Sequence, residues 1–434
     1  MSMNWPPLAD SLWAATARPA PTTPPLNGDI ETDVAVVGGG YCGLSTALHL
    51  AGHGRDVVVL EAAEPGNGAS GRNSGHCVPE WLWQSPDAIV KQYGAKSGER
   101  MNEFQAGAAQ LVFSLIREHQ IECEAVQSGM LKVAKAGVDA EGVRVRAEQW
   151  QRRGKAVKLL EGSALDDYVV SDHFANGLLF EQGGHINPLG YCRGLADAAI
   201  RAGAAVHGNS PVTALASNAA GWQLSTPGGT LTARTVVMAT NAFRGALDPA
   251  LDRSYTRLHV LGLATDPLPI ELRQKVLPGN HNFQEYQARQ RYGSRFFFFD
   301  AQGRLATGGP IGRGVNTNLE GCNATVGKRL LRAFPQLGEL NFTYRWEGFF
   351  DVSHNRTVGV HELAPRVYAV VGFSGRGIPT ATAMGRDIAN MIVEDSPAAM
   401  ALPITQLPRN PLGPVREFVW HNLYLPFHRA LDRA

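Results

Sequence analysis

DVAVVGGGYCGLSTALHLAGHGRDVVVLE, residues 33–61, joins two apolar β-type runs through a glycine turn and a helix. Val34, Ala35, Val36 and Val37 form the first run. Gly38, Gly40 and Gly43 follow in G-x-G-x-x-G spacing, and Leu44, Ala47, Leu48 and Leu50 then mark one helical face. The second run, residues 57–60, ends in the acid Glu61. Each piece has a mechanical role in dinucleotide binding. Gly38 permits the strand-to-helix turn, Gly40 lets a pyrophosphate reach the backbone, and Gly43 lets the helix lie close to the strand. The free N–H groups at the helix start then face the phosphates with the positive end of the dipole. Glu61 stands where a carboxylate accepts hydrogen bonds from ribose hydroxyls. Glycines serving only a tight turn would need neither the helix nor the acid. NAD and FAD proteins share this unit, so the nucleotide stays open at this point.

A chain of 434 residues exceeds one ordinary core, so two domains are expected. Apolar residues make up 44%, enough for burial, and a net charge of +1 with scattered basic residues gives no reason to expect nucleic acid. Cys42, Cys77, Cys123, Cys192 and Cys322 are odd in number, widely spaced and without a C-x-x-C pair. That argues against a disulfide framework and a metal site, and fits a reducing compartment. No apolar run reaches the ~20 residues that span a bilayer. Residues 1–29 lack the build of a signal peptide, so the expected setting is cytoplasmic. Their prolines mark an extended arm pinned by Trp13.

Residues 65–79, PGNGASGRNSGHCVP, form a polar loop directly after Glu61. Such a loop beside a nucleotide fold is usually functional: Arg72 suits a phosphate or carboxylate, and backbone N–H groups suit a cofactor ring. Residues 86–125 have helical spacing, and the charges of residues 143–157 are taken as a solvated face. His185 is either a ligand contact or, as is commoner for a lone loop histidine, a hydrogen-bonding surface residue. Pro188 opens a helix to about Ala202. The strand at residues 235–240 stops at Thr240 and Asn241, as a parallel sheet presents its carboxyl end to a ligand. Residues 252–350 change to an antiparallel pattern, in which Phe296 to Phe299 must meet a helix layer or a ligand cavity. Near the C-terminus, residues 367–392 run from strand through Gly372, Gly375 and Gly377 into a helix. Glycine loops at both ends of the chain converge on one extended cofactor, which favours FAD. The final segment reads as a docked tail.

With both ends read, the sequence resembles the D-amino-acid oxidase-like superfamily of flavoproteins, and within it the γ-glutamylputrescine oxidase-like amine oxidoreductases. The motifs that carry this are DVAVVGGGYCGLSTALHLA, GASGRNSGH, GGHINPLGY, ATNA, RWEGFFDVSHNRTVGVHEL and GFSGRGI. The resemblance implies an α/β Rossmann-like FAD-binding domain interleaved with an α+β substrate domain built on an antiparallel sheet. The expected division is an arm at 1–30, FAD-binding segments at 31–85, 155–250 and 351–400, substrate segments at 86–154 and 251–350, and a tail at 401–434.

The implied activity is oxidation of a C–N bond in a small amine or N-substituted amino compound by hydride transfer to flavin N5. The imine then hydrolyses to aldehyde or ketone, with oxygen as acceptor. The alternatives are a dehydrogenase using a quinone or protein acceptor, and a non-catalytic flavin-binding or redox-sensing protein. The implied cofactor contacts are Gly38, Gly40, Tyr41, Cys42, Gly43, Glu61 and Ala62, then Ser70, Gly71, Arg72, Asn73, Ser74, Gly75 and His76. Val212 matches the position that meets adenine, with Thr240 and Asn241 at the strand end. Gly372, Ser374, Gly375, Arg376, Gly377 and Ile378 match the loop at the pyrimidine end of the ring. Relatives that attach flavin through cysteine place a lysine where this chain has Pro379, and no cysteine here has a matching context, so FAD is expected to be non-covalent. Arg376 replaces the usual histidine of GFSGHG. Candidate catalytic or substrate contacts are His76, Arg376, Tyr286, Tyr292 and Arg295, with Trp346 near the ring.

Overall fold

A computed structural model describes residues 7–135, 137, 139–242, 247–287, 295–311, 319–407 and 413–424. Strand Ile30–Val37 pairs in parallel with Val57–Leu60 on one side and Gly229–Met238 on the other. Ala205–His207 and Val367–Val371 extend this parallel core outward, and Gly359–Ala364 adds an antiparallel strand. The four apolar residues of Val57–Leu60 are all buried because both faces are covered. Val34, Val36, Val57 and Val59 face a helix layer. Ala35, Val37, Val58 and Leu60 face Val212, Leu224, Leu251 and Tyr255 instead. Helix Tyr41–Gly52 packs between Pro188–Arg201 and Ile378–Glu394.

The second sheet has eight strands, in the spatial order Phe342–Val352, Thr256–Pro267, Arg304–Ile311, Phe296–Phe299, Asn282–Tyr286, Met130–Lys135, Phe174–Phe180 and Val157–Glu161. It is antiparallel except where Asn282–Tyr286 runs parallel to Met130–Lys135. Phe283, Phe297 and Phe334 meet at centroid distances of 4.8–5.4 Å and form its aromatic core. Phe296 instead lines the cleft and Phe298 stacks on His185, so the four phenylalanines divide between packing and cavity.

Two boundaries differ from the sequence expectation. Val157–Glu161 and Phe174–Phe180 lie in the second sheet although residues 155–250 were assigned to the FAD-binding part. Short apolar strands do not disclose which sheet will pair with them. Residues 86–118 break at Gly94, whose φ is +80°, into Pro86–Tyr93 and Ala95–Glu118. Ala95–Glu118 packs on Ile378–Glu394 and shares the core of the first sheet.

The arm forms a short helix, Leu12–Thr16, capped by Ser11, whose side chain accepts from the Ala14 N–H. Leu12 and Trp13 are buried with Leu189 of the first half and Phe298 and Trp346 of the second. At the other end, Gly413–Val419 and the turn Trp420–Tyr424 lie on Thr256–Pro267, with His421 Nε2 3.1 Å from the Arg257 carbonyl.

Candidate active site

A single cleft runs between the two sheets from the first glycine turn to the strand carrying Tyr286. At its nucleotide end the glycines answer to sterics. Gly38 has φ +108°, and a Cβ on Gly43 would stand 2.0 Å from the Gly38 carbonyl oxygen, so the helix could not close onto the turn. Gly38, Gly40, Tyr41 and Cys42 line the cleft, and no side chain of Gly40 caps the helix N-terminus behind them. Glu61 Oε2 accepts from the Gly39 N–H at 2.6 Å and Oε1 from the Ala63 N–H at 3.0 Å. Burial raises its carboxyl above the ordinary value, while backbone N–H groups of Ala63, Gly39 and Ala62 pull the other way. Ala62 and Val212 line the same end.

The loop after Glu61 crosses to the middle of the cleft. Ser70 Oγ accepts from the Tyr41 N–H at 3.1 Å, and the Tyr41 hydroxyl lies on the Ser70 and Pro188 carbonyls. Asn73 braces the loop, with Nδ2 donating to the Ala69 and Ser70 carbonyls and Oδ1 accepting from the Gly75 N–H at 2.9 Å. Arg72 also lines the cleft, but its guanidinium reaches the backbone carbonyls of Asn67, Glu347 and Pro7. Trp346 donates its indole N–H to the Arg72 carbonyl at 2.9 Å. Gly43, Gly71 and Gly75 stand behind the cleft wall, where they shape the turn.

Opposite lies the second glycine loop. Gly375, Arg376, Gly377 and Ile378 line the cleft at the uncapped start of helix Ile378–Glu394. Gly372 and Ser374 lie behind them with φ of +76° and +53°. Asn241 Oδ1 accepts from the Gly372 N–H at 3.0 Å, which ties the end of strand Gly229–Met238 to this loop. Thr240 and Asn241 both face the cleft.

The roof is the second sheet, which brings Lys132 and Glu285 to the cleft, and Arg376 reaches it from the glycine loop. Arg376 Nη2 donates to Gln284 Oε1 at 2.8 Å, and Arg376 Nε has no acceptor among the described residues. Arg376 is buried, with Gln284 as its side-chain acceptor. Burial, and then the charge of Arg146, lowers its pKa to about 9, so it is a cation at neutral pH. Gln284 sits beside Lys132 in parallel register, and both line the cleft. Lys132 is ion-paired to Glu80, whose other oxygen takes Arg146 at 2.9 Å. Burial pushes Lys132 well below the usual lysine value, with Arg146 and Arg376 adding to it. The Tyr286 ring spans both cations, 5.9 Å from Lys132 and 5.6 Å from Arg146. Arg146 is buried, which corrects the solvated-face expectation: it lies on the inward face of the helix Ala140–Gln151 with Val143, Ala147, Gln149 and Trp150, and meets Glu80 there.

His76 lines the cleft near Phe296. Its Nδ1 meets Asn282 Oδ1, while Asn282 Nδ2 donates to the Gly184 carbonyl, so the His76 proton sits on Nδ1. Burial holds its pKa to about 3, and the ring is neutral. His185 is a buried core residue rather than a surface one: it is 1% exposed, stacks on Phe298 at 4.1 Å, and neither ring nitrogen has a partner among the described residues. Arg295 does not line the cleft; it pairs with Glu285 at 2.8 Å. Tyr292 lies outside the described residues. Lys132, Glu80 and Gln284 escaped the sequence reading. A lysine inside the apolar run Met130–Lys135 was the available signal, since a buried lysine needs a partner.

Residues 33–391 match the family DAO, described as FAD dependent oxidoreductase. The chain belongs to this family. It is therefore an FAD-dependent oxidoreductase, as the sequence resemblance implied, and its fold is the α/β arrangement expected. Among curated members, it is 33% identical over 388 residues to the gamma-glutamylputrescine oxidoreductase of Escherichia coli, covering 89% of each chain. It is 27% identical to the probable oxidoreductase OrdL of Haemophilus influenzae, over 86% of this chain and 85% of that one. Among solved structures, L-proline dehydrogenase from P. horikoshii superposes with a TM-score of 0.70 over 93% of this chain and 99% of its own, at 19% identity. Glycine oxidase from Bacillus cereus gives 0.68 over 84% and 96%, also at 19% identity. The last two show the shared fold.

The residues present fit FAD. Two helix N-termini whose N-cap residues are glycines converge on one cleft, a carboxylate follows the second strand, and Thr240 Oγ1 is buried without a partner among the described residues. No helix among the described residues is long and apolar enough to cross a membrane, and no group of metal-ligating side chains is found among them.

Proposed function

We propose that the protein oxidises the C–N bond of a small amine that also carries a carboxylate, with a γ-glutamyl amide of a diamine as the first candidate. The observation that carries this is the charge of the cleft roof. Lys132 and Arg146 share one carboxylate, Glu80, while Arg376, buried and close enough to Arg146 to feel its charge, has the neutral Gln284 as its side-chain partner. Buried cations in excess call for an anion. The oxidised isoalloxazine ring is neutral, so the substrate is the natural source. The E. coli relative is named for a γ-glutamylated diamine, which has a free carboxylate at one end and an oxidisable C–N bond at the other.

Bound FAD supplies the two-electron acceptor for hydride. Gly38, Gly40 and the helix start at Tyr41 hold its pyrophosphate, Glu61 its ribose, and the Arg376–Ile378 loop the pyrimidine edge. Arg376 anchors the substrate carboxylate, Gln284 orients Arg376, and Lys132, held on Glu80, adds a hydrogen-bond donor beside it. His76, neutral and locked by Asn282, gives the reacting end a polar but uncharged neighbour, so the amine can bind as its neutral form with its lone pair available. The Phe296 and Tyr286 rings exclude water during transfer. Water admitted afterwards hydrolyses the imine to aldehyde or ketone. Dioxygen is the proposed final acceptor; turnover that needs an added quinone or protein acceptor under air replaces that part of the proposal.

The test is anaerobic bleaching of the oxidised-flavin band by matched pairs of amines with and without a carboxylate. Carboxylated amines are expected to bleach it, their carboxamide analogues at least about tenfold less effectively, as loss of one charge-assisted contact implies. Failure of the whole panel, with dithionite still effective, removes the amine reading.

FAD is proposed to be bound without a covalent link. All five cysteines are buried and free, and Cys42, which lines the cleft, has its thiol pushed up to about 12 by burial. Acid precipitation is expected to release the yellow colour into the supernatant. A yellow pellet would point to His76 as the attachment site.

A further inference from the structure

We infer that Trp13 and Trp346 are positioning residues for the flavin ring, and that the N-terminal arm is a third component of the cofactor site. The inference rests on FAD occupying the cleft as proposed above. Trp13 donates its indole N–H to the Asn73 carbonyl at 2.7 Å, and Trp346 donates to the Arg72 carbonyl at 2.9 Å. The two indoles touch edge to face at 5.6 Å, so they approach consecutive carbonyls from one side. In a trans peptide the carbonyl and the following N–H point in opposite directions. Fixing the Arg72 and Asn73 carbonyls on the tryptophan side turns the Asn73 and Ser74 N–H groups the other way. Asn73 and Ser74 both line the cleft, and neither N–H has an acceptor among the described residues. Two adjacent backbone donors, held from behind, thus face the cofactor space.

Their place along the cleft identifies what they meet. Ser70 lies against the Tyr41 N–H at the pyrophosphate end, and His76 lies against Asn282 and Phe296 of the roof. Asn73 and Ser74 fall between the two, where the ring must lie for the roof to reach it. Donors there favour electron density arriving on the ring, at N5 and its neighbouring carbonyl. One indole comes from the arm and the other from strand Phe342–Val352, so the loop is set only when all three parts are docked.

Trp13→Phe and Trp346→Phe keep most of the packing and delete the donors. Each is expected to weaken the sulfite adduct at flavin N5 about threefold and to lower the midpoint potential, with the double variant losing more than either single one. Leu330→Ala serves as the stability control. It removes a buried side chain from the aromatic core of the second sheet, which includes neither tryptophan, so it is expected to lower the melting temperature and leave sulfite affinity unchanged. Unchanged sulfite affinity and potential in both phenylalanine variants would overturn the inference, as would an equal loss in Leu330→Ala. If the wild-type protein takes up no FAD from solution, the failure lies with the cofactor assignment instead.

Discussion

Replacing Arg376 by alanine is expected to lower kcat/KM for a carboxylate-bearing amine by about 30-fold or more, while an uncharged amine of the same length loses far less. The estimate follows from about 2–3 kcal/mol for a hydrogen bond to a charged group in a water-poor site. The loss should fall mainly on KM if the anchor acts equally in ground and transition states. Arg376 also sits at the start of helix Ile378–Glu394, on the loop expected at the pyrimidine edge. The variant should therefore show a reduction potential lower by a few tens of millivolts, about 30 mV being a tenfold change for a two-electron couple. The two readouts separate the roles. Equal loss for charged and uncharged amines, with a shifted potential, would assign Arg376 to the ring alone. Wild-type values of both would place it outside the chemistry.

The second large effect concerns Glu61. Glu61→Ala is expected to weaken FAD binding at least about tenfold, since each charge-assisted hydrogen bond to the ribose contributes roughly 1.5–3 kcal/mol. The variant also strips the acceptor from the Gly39 and Ala63 N–H groups, so the turn itself should loosen. Titration of the apoprotein with FAD measures the loss. Affinity equal to that of the wild type would remove Glu61 from the nucleotide site.

The nucleotide half was open to sequence reading because its constraints are local. Gly43 must be glycine because a carbonyl five residues earlier in the chain lies where its Cβ would be. Glu61 ends the strand adjacent to that turn, so the motif carries its own geometry. The roof was hidden because its constraints are not local. Lys132, Glu80 and Arg146 come from three separate segments and make sense only as a buried group. Helical charge patterning placed Arg146 in solvent, and nothing in residues 140–151 shows that one arginine turns toward an acid sixty-six residues earlier. The same limit applies to Val157–Glu161 and Phe174–Phe180, short strands whose apolar residues suit either sheet. His185 was misjudged for a related reason: a histidine can be buried as an aromatic plate when a ring such as Phe298 accepts its face.

The five buried thiols have a consequence for how the molecule can be watched coming apart. Cys42, Cys77, Cys123 and Cys192 all belong to the core beneath the first sheet, and Cys322 belongs to the aromatic core of the second. A thiol-directed label reaches Cys77, Cys123 and Cys192 only when the nucleotide half opens, and reaches Cys322 only when the roof does, whereas Cys42 is shielded from the cleft side only by what fills it. The chain thus carries two internal clocks, one in each half, that record the order in which its parts let go.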